Sequence, residues 1–303
     1  MPENNNILTT IPAIFWSIIG PWQFMSLSAS FIPQTIRTFN GLLPALSILL
    51  SSPSSFKDTW FGHFWSVVGP NVRERVSPAV LALLDGRVSK GRILENNSSP
   101  VTPHEGISGT VIEIGPASGL WVRVFSQSQS QSQSQNKKIQ HVYGVEPNAK
   151  HHEALRREIA NAGLQDVYEI VPVGIEHLNR NNNQGKKWDG NIEPESVDCI
   201  VSILCLCSIP DPERNTQELY RLLRPGGRWY VFEHVKHEDL WYMRFYQRIV
   251  NLVWPHFLGG CQLCRPTAKT LANAGKWTSI DVAPLAAEPW HNVVTHIVGV
   301  LTK

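Results

Sequence analysis

From residue 110 onward the chain alternates short apolar runs with amphipathic stretches, and few architectures accept that order. Strand signals fall at 110–114, 142–145, 168–173, 197–204 and 228–232, with a final pair at 279–283 and 293–301. Helix signals lie between them at 118–125, 149–162 and 213–223. A parallel neighbour can be reached only through a crossover, so regular β-α alternation specifies a mainly parallel sheet with helices on both faces. Such sheets bind ligands outside the carboxyl ends of their strands, where strand order reverses.

Two segments break the rhythm. Residues 95–109, with Asn96-Asn97-Ser98-Ser99-Pro100 and Pro103, have loop composition and mark a boundary before the first strand. Residues 126–135 are five Ser-Gln repeats; they offer no apolar face and are expected to form a flexible surface insertion without catalytic work. The chain thus divides into an apolar region at 1–58, a helical extension and linker at 59–104, and an α/β domain at 105–303.

No residue between Glu3 and Arg37 is charged, and the stretch is rich in Ile, Leu, Phe and Trp. The start, Pro2-Glu3-Asn4-Asn5-Asn6, lacks the basic region of a signal peptide, so secretion is not expected. A spanning helix needs about 20 apolar residues, and Pro12, Gly20-Pro21 and Pro33 interrupt this run. The fragments read either as interfacial membrane segments, with Trp16 and Trp22 at headgroup level, or as a helical lid packed on the core. Trp60, Phe61, Phe64 and Trp65 recur at helical spacing, and Gly69-Pro70 separates them from a second helix at 78–84. These aromatics read as core or as a roof over a site.

Basic and acidic residues number 27 and 25 and are mixed along the chain, so no nucleic-acid footprint stands out. Cys199, Cys205, Cys207, Cys261 and Cys264 are odd in number and irregularly spaced, which argues against a disulfide framework. Cys261 and Cys264 form one CxxC without a second CxxC or HxxxH, so no metal site is expected.

The segment from Val111 through Glu113 to Gly115-Pro116-Ala117-Ser118-Gly119 is a buried strand entering a glycine turn and then a helix. Gly115 permits the turn, while the small Ala117 and Gly119 let backbone and ligand approach. Neither G-x-G-x-x-G nor G-x-x-x-x-G-K-[ST] is present, which disfavours NAD and ATP. Val145-Glu146-Pro147 ends the second strand, where a carboxylate can accept both hydroxyls of a ribose. Glu146 follows Gly115 by 31 positions, and removing the Ser-Gln insertion brings this near the usual separation of about 20 residues. Ile175-Glu176 follows the third strand, placed to border an adenine, and Leu204-Cys205 ends the fourth.

Together E-I-G-P-A-S-G, V-E-P, G-I-E-H-L, S-V-D-C-I-V-S-I-L-C-L-C-S-I and L-L-R-P-G-G-R-W-Y-V-F-E-H-V resemble class I S-adenosylmethionine (SAM)-dependent methyltransferases, in the type 11 group. Leu223 to Gly227, Glu233-His234-Val235 and the stretch from Trp254 to Arg265 resemble the membrane-anchored, methyltransferase-like alkyl thiol methyltransferases. The resemblance implies a Rossmann-like sheet, mostly parallel with an antiparallel C-terminal strand, preceded by an apolar helical region. It implies SAM as cofactor, with Glu113, Gly115, Ala117 and Gly119 shaping the methionine end, Glu146 and Pro147 at the ribose, Ile175 and Glu176 at the adenine, and Leu204 near the sulfonium. It also implies a lipophilic thiol, hydroxyl or amine as acceptor. Membrane contact through the N-terminal region would place the protein on the cytosolic face of an intracellular membrane such as the endoplasmic reticulum, the alternative being the cytoplasm. The family often has glycine where Ala117 stands, and Pro116 stiffens the loop.

Methyl transfer from a sulfonium is an in-line displacement, so catalysis rests on alignment and exclusion of water. His234, after the fifth strand, is the candidate base or acceptor-positioning group, and Glu233 the candidate to orient it. A polar strand end bonded to the next loop explains the pair equally well. Trp241, Tyr242, Phe245, Tyr246 and Trp254 supply aromatic surface for a lipophilic acceptor or for an ordinary amphipathic helix. The reading that competes with an enzyme is an inactive, SAM-binding scaffold at a membrane.

Overall fold

The structure is a computed structural model that describes residues 7–95, 102–131, 138–178 and 188–303. Helices α1 (Ile7–Ala29), α2 (Ile32–Thr38), α3 (Leu42–Ser51) and α4 (Pro53–Leu84) come first. The sequence predicts that prolines divide this region, yet Pro12 and Pro21 lie inside α1 and Pro70 and Pro78 inside α4. Packing explains the difference. Helix α4 carries Phe64 and Val68 into one apolar cluster and Val80, Leu83 and Leu84 into another. Burying each such side chain contributes about 2 kcal/mol, which together outweighs roughly 3 kcal/mol per internal proline.

A two-stranded hairpin, β1 (Val88–Ser89) and β2 (Arg92–Ile93), precedes the main sheet. The alternation then follows as β3 (Gly109–Ile114), α5 (Val122–Gln131), β4 (Ile139–Val145), α6 (His152–Asn161), β5 (Tyr168–Val171), β6 (Val197–Ile203), α7 (Pro212–Leu222) and β7 (Leu223–Val235). Three short helices, α8 (Trp241–Asn251), α9 (Trp254–Phe257) and α10 (Thr267–Ala272), lead into β8 (Ser279–Pro284) and β9 (Thr295–Thr302). The seven strands are ordered β5-β4-β3-β6-β7-β9-β8. Strand β9 is antiparallel to both its neighbours, and the other pairings are parallel. This is the expected Rossmann-like sheet. Strand order reverses between β3 and β6, which puts the ligand crevice at their carboxyl ends.

Side chains alternate across the sheet as the pleat requires. Val111, Val201, Tyr230 and Phe232 face the layer containing the end of α4. Ile112, Ile200, Trp229 and Val231 face the layer of α7 and α10. A third cluster lies over the strand ends, where Met25 of α1, Phe64 of α4, Met243 of α8 and Trp254 of α9 meet. The N-terminal region is therefore packed on the domain as a roof. Ser28 Oγ donates to Phe257 O at 2.7 Å, and Trp60 Nε1 donates to Ser28 O at 2.7 Å. Among the described residues no helix is long and apolar enough to cross a membrane.

Helix α5 begins later than expected and continues into the Ser-Gln repeats, where the sequence predicts a loop. Once the buried segment from Val122 to Phe125 nucleates the helix, neither Ser nor Gln terminates it. The end of the repeat, and much of the linker from 96 to 101, lie outside the described residues.

Candidate active site

A cavity of about 910 Å³ lies over the carboxyl ends of β3, β4, β6 and β7, beneath α1 and α4. At one end the turn after β3 forms its floor. Gly115 has φ of +65°, a conformation that favours glycine, and a Cβ there would sit a tight 3.0 Å from the Cys205 Cβ. Ala117 also lies in the left-handed region, with φ of +49°. That costs an L-residue roughly 1–2 kcal/mol, and Glu146 offsets it by accepting the Ala117 N–H at 2.9 Å. The other oxygen of Glu146 accepts the Asn148 N–H at 2.8 Å. The carboxylate thus ties the ends of β3 and β4 together and keeps further lone pairs for a ligand.

Of the residues the sequence assigns to cofactor, Gly115, Ala117, Glu146, Pro147, Ile175, Glu176 and Leu204 all line the cavity. Glu113 and Gly119 do not. Glu113 is buried beneath the turn and accepts the Tyr168 hydroxyl at 2.5 Å. Gly119 packs on α6, where a Cβ would come within 2.9 Å of the Glu158 Cβ. These two shape the loop from behind. Burial pushes the Glu113 carboxyl up to about 7, against the Tyr168 hydrogen bond and with help from the Glu146 charge. Burial likewise pushes Glu146 up to about 7, opposed by its two backbone donors.

The residues present fit SAM. The cavity end offers a carboxylate for the ribose and, at the turn Ile175–His177, an apolar and an acidic side chain for the adenine. Arg73 of α4 supplies a feature the sequence does not reveal. It lines the cavity with its guanidinium 5.7 Å over the Trp121 ring, and its buried Nε has no protein partner. A methionyl carboxylate is an anion suited to that donor.

At the other end stand His234, Cys207, Cys261, Trp254, His296 and Glu288. His234 Nδ1 is 3.4 Å from Cys261 Sγ. The carboxylate of Glu288 hydrogen-bonds the ring of His296, which lies beside that of His234 with centroids 4.8 Å apart. Burial lowers the His234 pKa, but Cys207, Glu233 and Glu288 outweigh it and the net shift is upward.

Glu233 does not bond His234. Both belong to β7, and consecutive strand residues point to opposite faces. Glu233 is fully buried and accepts the backbone N–H groups of Cys205 at 3.2 Å and Leu206 at 3.1 Å, fixing the turn after β6. Of the aromatic set Trp241, Tyr242, Phe245, Tyr246 and Trp254, only Trp254 lines the cavity. The α8 residues Trp241, Tyr242 and Phe245 face outward. From α4, Phe61 and Trp65 line the cavity while Phe64 is core, so the helical aromatic pattern serves both purposes.

A methyltransferase-domain family model matches residues 71–276. Human thiol S-methyltransferase TMT1A is 34% identical over 164 residues, which cover 52% of this chain and 61% of the relative. Mouse thiol S-methyltransferase TMT1B is 28% identical over 235 residues, covering 75% of this chain and 85% of the relative. The chain thus spans about three fifths of the length of the human relative. A solved structure from Nostoc punctiforme, assigned to the O-methyltransferases, superposes with a TM-score of 0.51 at 12% identity, over 95% of this chain and 71% of that one. At that identity it speaks for the fold alone. With the strand order, the turn at Gly115 and the carboxylate at Glu146 in place, the family match gives the identity: the chain belongs to the methyltransferase-domain family, whose cofactor is S-adenosylmethionine.

Proposed function

We propose that this protein transfers a methyl group from SAM to the sulfur of a lipophilic small-molecule thiol. The observation that carries the reading is one continuous cavity with chemically different ends. The turn at Gly115, Glu146 and Arg73 suit a nucleoside and a methionyl carboxylate, and the far end presents His234 among apolar and sulfur-bearing side chains. The human and mouse relatives are named thiol S-methyltransferases, which supports sulfur over oxygen or nitrogen as the acceptor atom. Bound SAM would supply an activated methyl group. The chain's own task is then to bind the nucleoside, hold the acceptor in line and exclude water. Glu146 would receive the ribose hydroxyls, Ile175 and Glu176 the adenine, and Arg73 the carboxylate, while the loop from Leu204 to Cys207 would border the reacting sulfur.

The roof supports a lipophilic acceptor. Trp16, Gly20 and Phe24 of α1 line the cavity, and Trp22 Nε1 donates to the Tyr246 hydroxyl at 2.8 Å, holding α1 against α8. Phe15, Trp16 and Trp22 on α1 and Trp241, Tyr242 and Phe245 on α8 leave large apolar surfaces exposed on two helices that touch through Trp22 and Tyr246, and Trp16 also lines the cavity. We read this patch as an interfacial membrane contact through which apolar substrates enter. An enzyme is favoured over an inactive scaffold because the site keeps both a cofactor end and an acceptor end.

The test is incubation of the full chain with methyl-labelled SAM and a panel of alkyl thiols, phenols and amines, in the presence and absence of vesicles. Labelled thioether from alkyl thiols is expected, together with co-flotation of the protein with vesicles. SAM binding without transfer to any thiol would refute the proposed acceptor, and protein left unbound beneath the vesicles would refute the membrane contact.

A further inference from the structure

Cys207, His234 and Cys261 come from three separate segments, yet their Sγ and imidazole nitrogen atoms all lie within 4.8 Å of one another. Cys207 lies on the turn after β6, His234 near the end of β7, and Cys261 after α9. The residues line the acceptor end of the cavity. The thiols of Cys207 and Cys261 are buried and in no disulfide. The sequence leads to no expected metal site at the lone CxxC of Cys261 and Cys264, and the cluster that the fold assembles uses Cys261 without Cys264.

The three ligand atoms are close enough for one ion to be reached by all of them with small side-chain adjustments. With zinc–sulfur and zinc–nitrogen bonds of about 2.3 and 2.0–2.1 Å, tetrahedral angles put ligand nitrogen and sulfur about 3.6 Å apart and two sulfurs about 3.8 Å apart. His234 Nδ1 and Cys261 Sγ stand 3.4 Å apart, close to the first of these values. Each ligand-bearing segment is also pinned from behind, as metal sites require of their supporting groups. Glu233 accepts the Cys205 and Leu206 N–H groups next to Cys207. Gln262 N–H donates to Cys207 O at 2.9 Å and so joins the first cysteine segment to the second. Asn251 accepts the Leu263 N–H at 2.6 Å, and Arg265 Nη1 donates to Leu206 O at 2.6 Å. Thr267 Oγ1 reaches His234 O at 3.3 Å.

We propose that Cys207, His234 and Cys261 bind one soft divalent metal ion of the zinc class, and that its open fourth position takes the sulfur of the acceptor thiol. The second half of this inference rests on the thiol reading given above. Three protein ligands and one open position are the pattern of a catalytic rather than a structural zinc site, and the open position here faces a cavity large enough for an organic ligand. On coordination the thiol S–H bond breaks and its proton leaves to solvent, giving a metal-bound thiolate near neutral pH. A sulfur lone pair then forms the new S–CH₃ bond while the methyl–sulfonium bond breaks, and that electron pair remains on the cofactor sulfur. The product thioether is neutral and a weaker donor, so it dissociates. The ion keeps its valence, and no oxidant or reductant enters.

The test loads the full chain with Zn²⁺ or with Co²⁺, removes loosely held metal by dialysis and measures bound metal, with SAM affinity as the check that variants fold. About one ion per chain is expected for wild type. The Co²⁺ form should show thiolate-to-metal charge-transfer absorption that shifts on adding a simple alkanethiol. Cys207→Ser, Cys261→Ser and His234→Ala should each lose the ion while retaining SAM binding, and Cys264→Ser should keep it. Wild type that retains no stoichiometric metal, or a Cys261→Ser variant that retains as much, overturns the site; a Co²⁺ spectrum blind to alkanethiol overturns the open position. Thiol methylation undiminished in chelator-treated, metal-free protein overturns the metal's part in transfer and leaves the thiol reading standing. Stoichiometric metal that binds alkanethiol without any methylation overturns the thiol-transfer reading and leaves the site standing.

Discussion

Replacing Glu146 by glutamine isolates the group on which the cofactor assignment depends. The carboxylate already accepts two backbone donors, Ala117 N–H at 2.9 Å and Asn148 N–H at 2.8 Å, and its remaining lone pairs face the cavity. Two ribose hydroxyls bonded to an ionised carboxylate would contribute about 1.5–3 kcal/mol each, against about 0.5–1.5 kcal/mol each to a neutral amide. The difference over two bonds is about 2–3 kcal/mol, or a weakening of SAM binding by roughly 30- to 150-fold. Burial holds the Glu146 carboxyl at about 7, so wild-type affinity should also rise by about tenfold between pH 6 and pH 8, whereas the Glu146→Gln protein should lack that component. The assay is calorimetric titration with S-adenosylhomocysteine and with its 2′,3′-dideoxy analogue, alongside thermal melts. The variant should lose most of its affinity for the first ligand and little for the second. An equal loss for both ligands, or a loss under about threefold with the fold intact, would refute the ribose assignment.

Arg73→Met keeps an apolar side chain of similar reach at this position but removes the cation that lies over Trp121. SAM affinity should fall by about 1.5–3 kcal/mol while affinity for adenosine, which has no carboxylate, stays within a factor of two or so; an equal loss for both would remove Arg73 from the methionyl end. The ligand-free protein should lose stability as pH rises from about 4.5 to about 7. Glu113 and Glu146 ionise near 4.5 when unfolded and only near 7 when folded, so over that window the unfolded state binds fewer protons. Each group can contribute up to roughly 3 kcal/mol to this trend. Glu113→Gln, which can still accept the Tyr168 hydroxyl, should flatten the fall in melting temperature, and an unchanged slope would show that Glu113 does not cause it.

The sequence alone carries the sheet. Strand and helix follow from hydrophobic period, a local property, and the β-α order leaves little freedom in topology once crossovers are required. It also points to much of the cavity wall, because Gly115, Ala117, Glu146, Ile175 and Leu204 all line the cavity and follow or end strands, and position at a strand end is itself readable. Tertiary packing decides what local pattern cannot. It holds α4 continuous through Pro70 and Pro78, since buried apolar contacts on both halves exceed the penalty of two missing N–H groups. It puts Arg73 of α4 over Trp121 and on the wall of the same cavity as Gly115, a juxtaposition with no sequence period behind it. It also separates Glu233 from His234 by the pleat of β7 and gathers Cys207, His234 and Cys261 from three segments. Spacing along the chain offers only one CxxC, Cys261 with Cys264, and on that ground no metal site is expected. Ligand geometry is set by distance through space, so only the fold could replace Cys264 with Cys207 and His234.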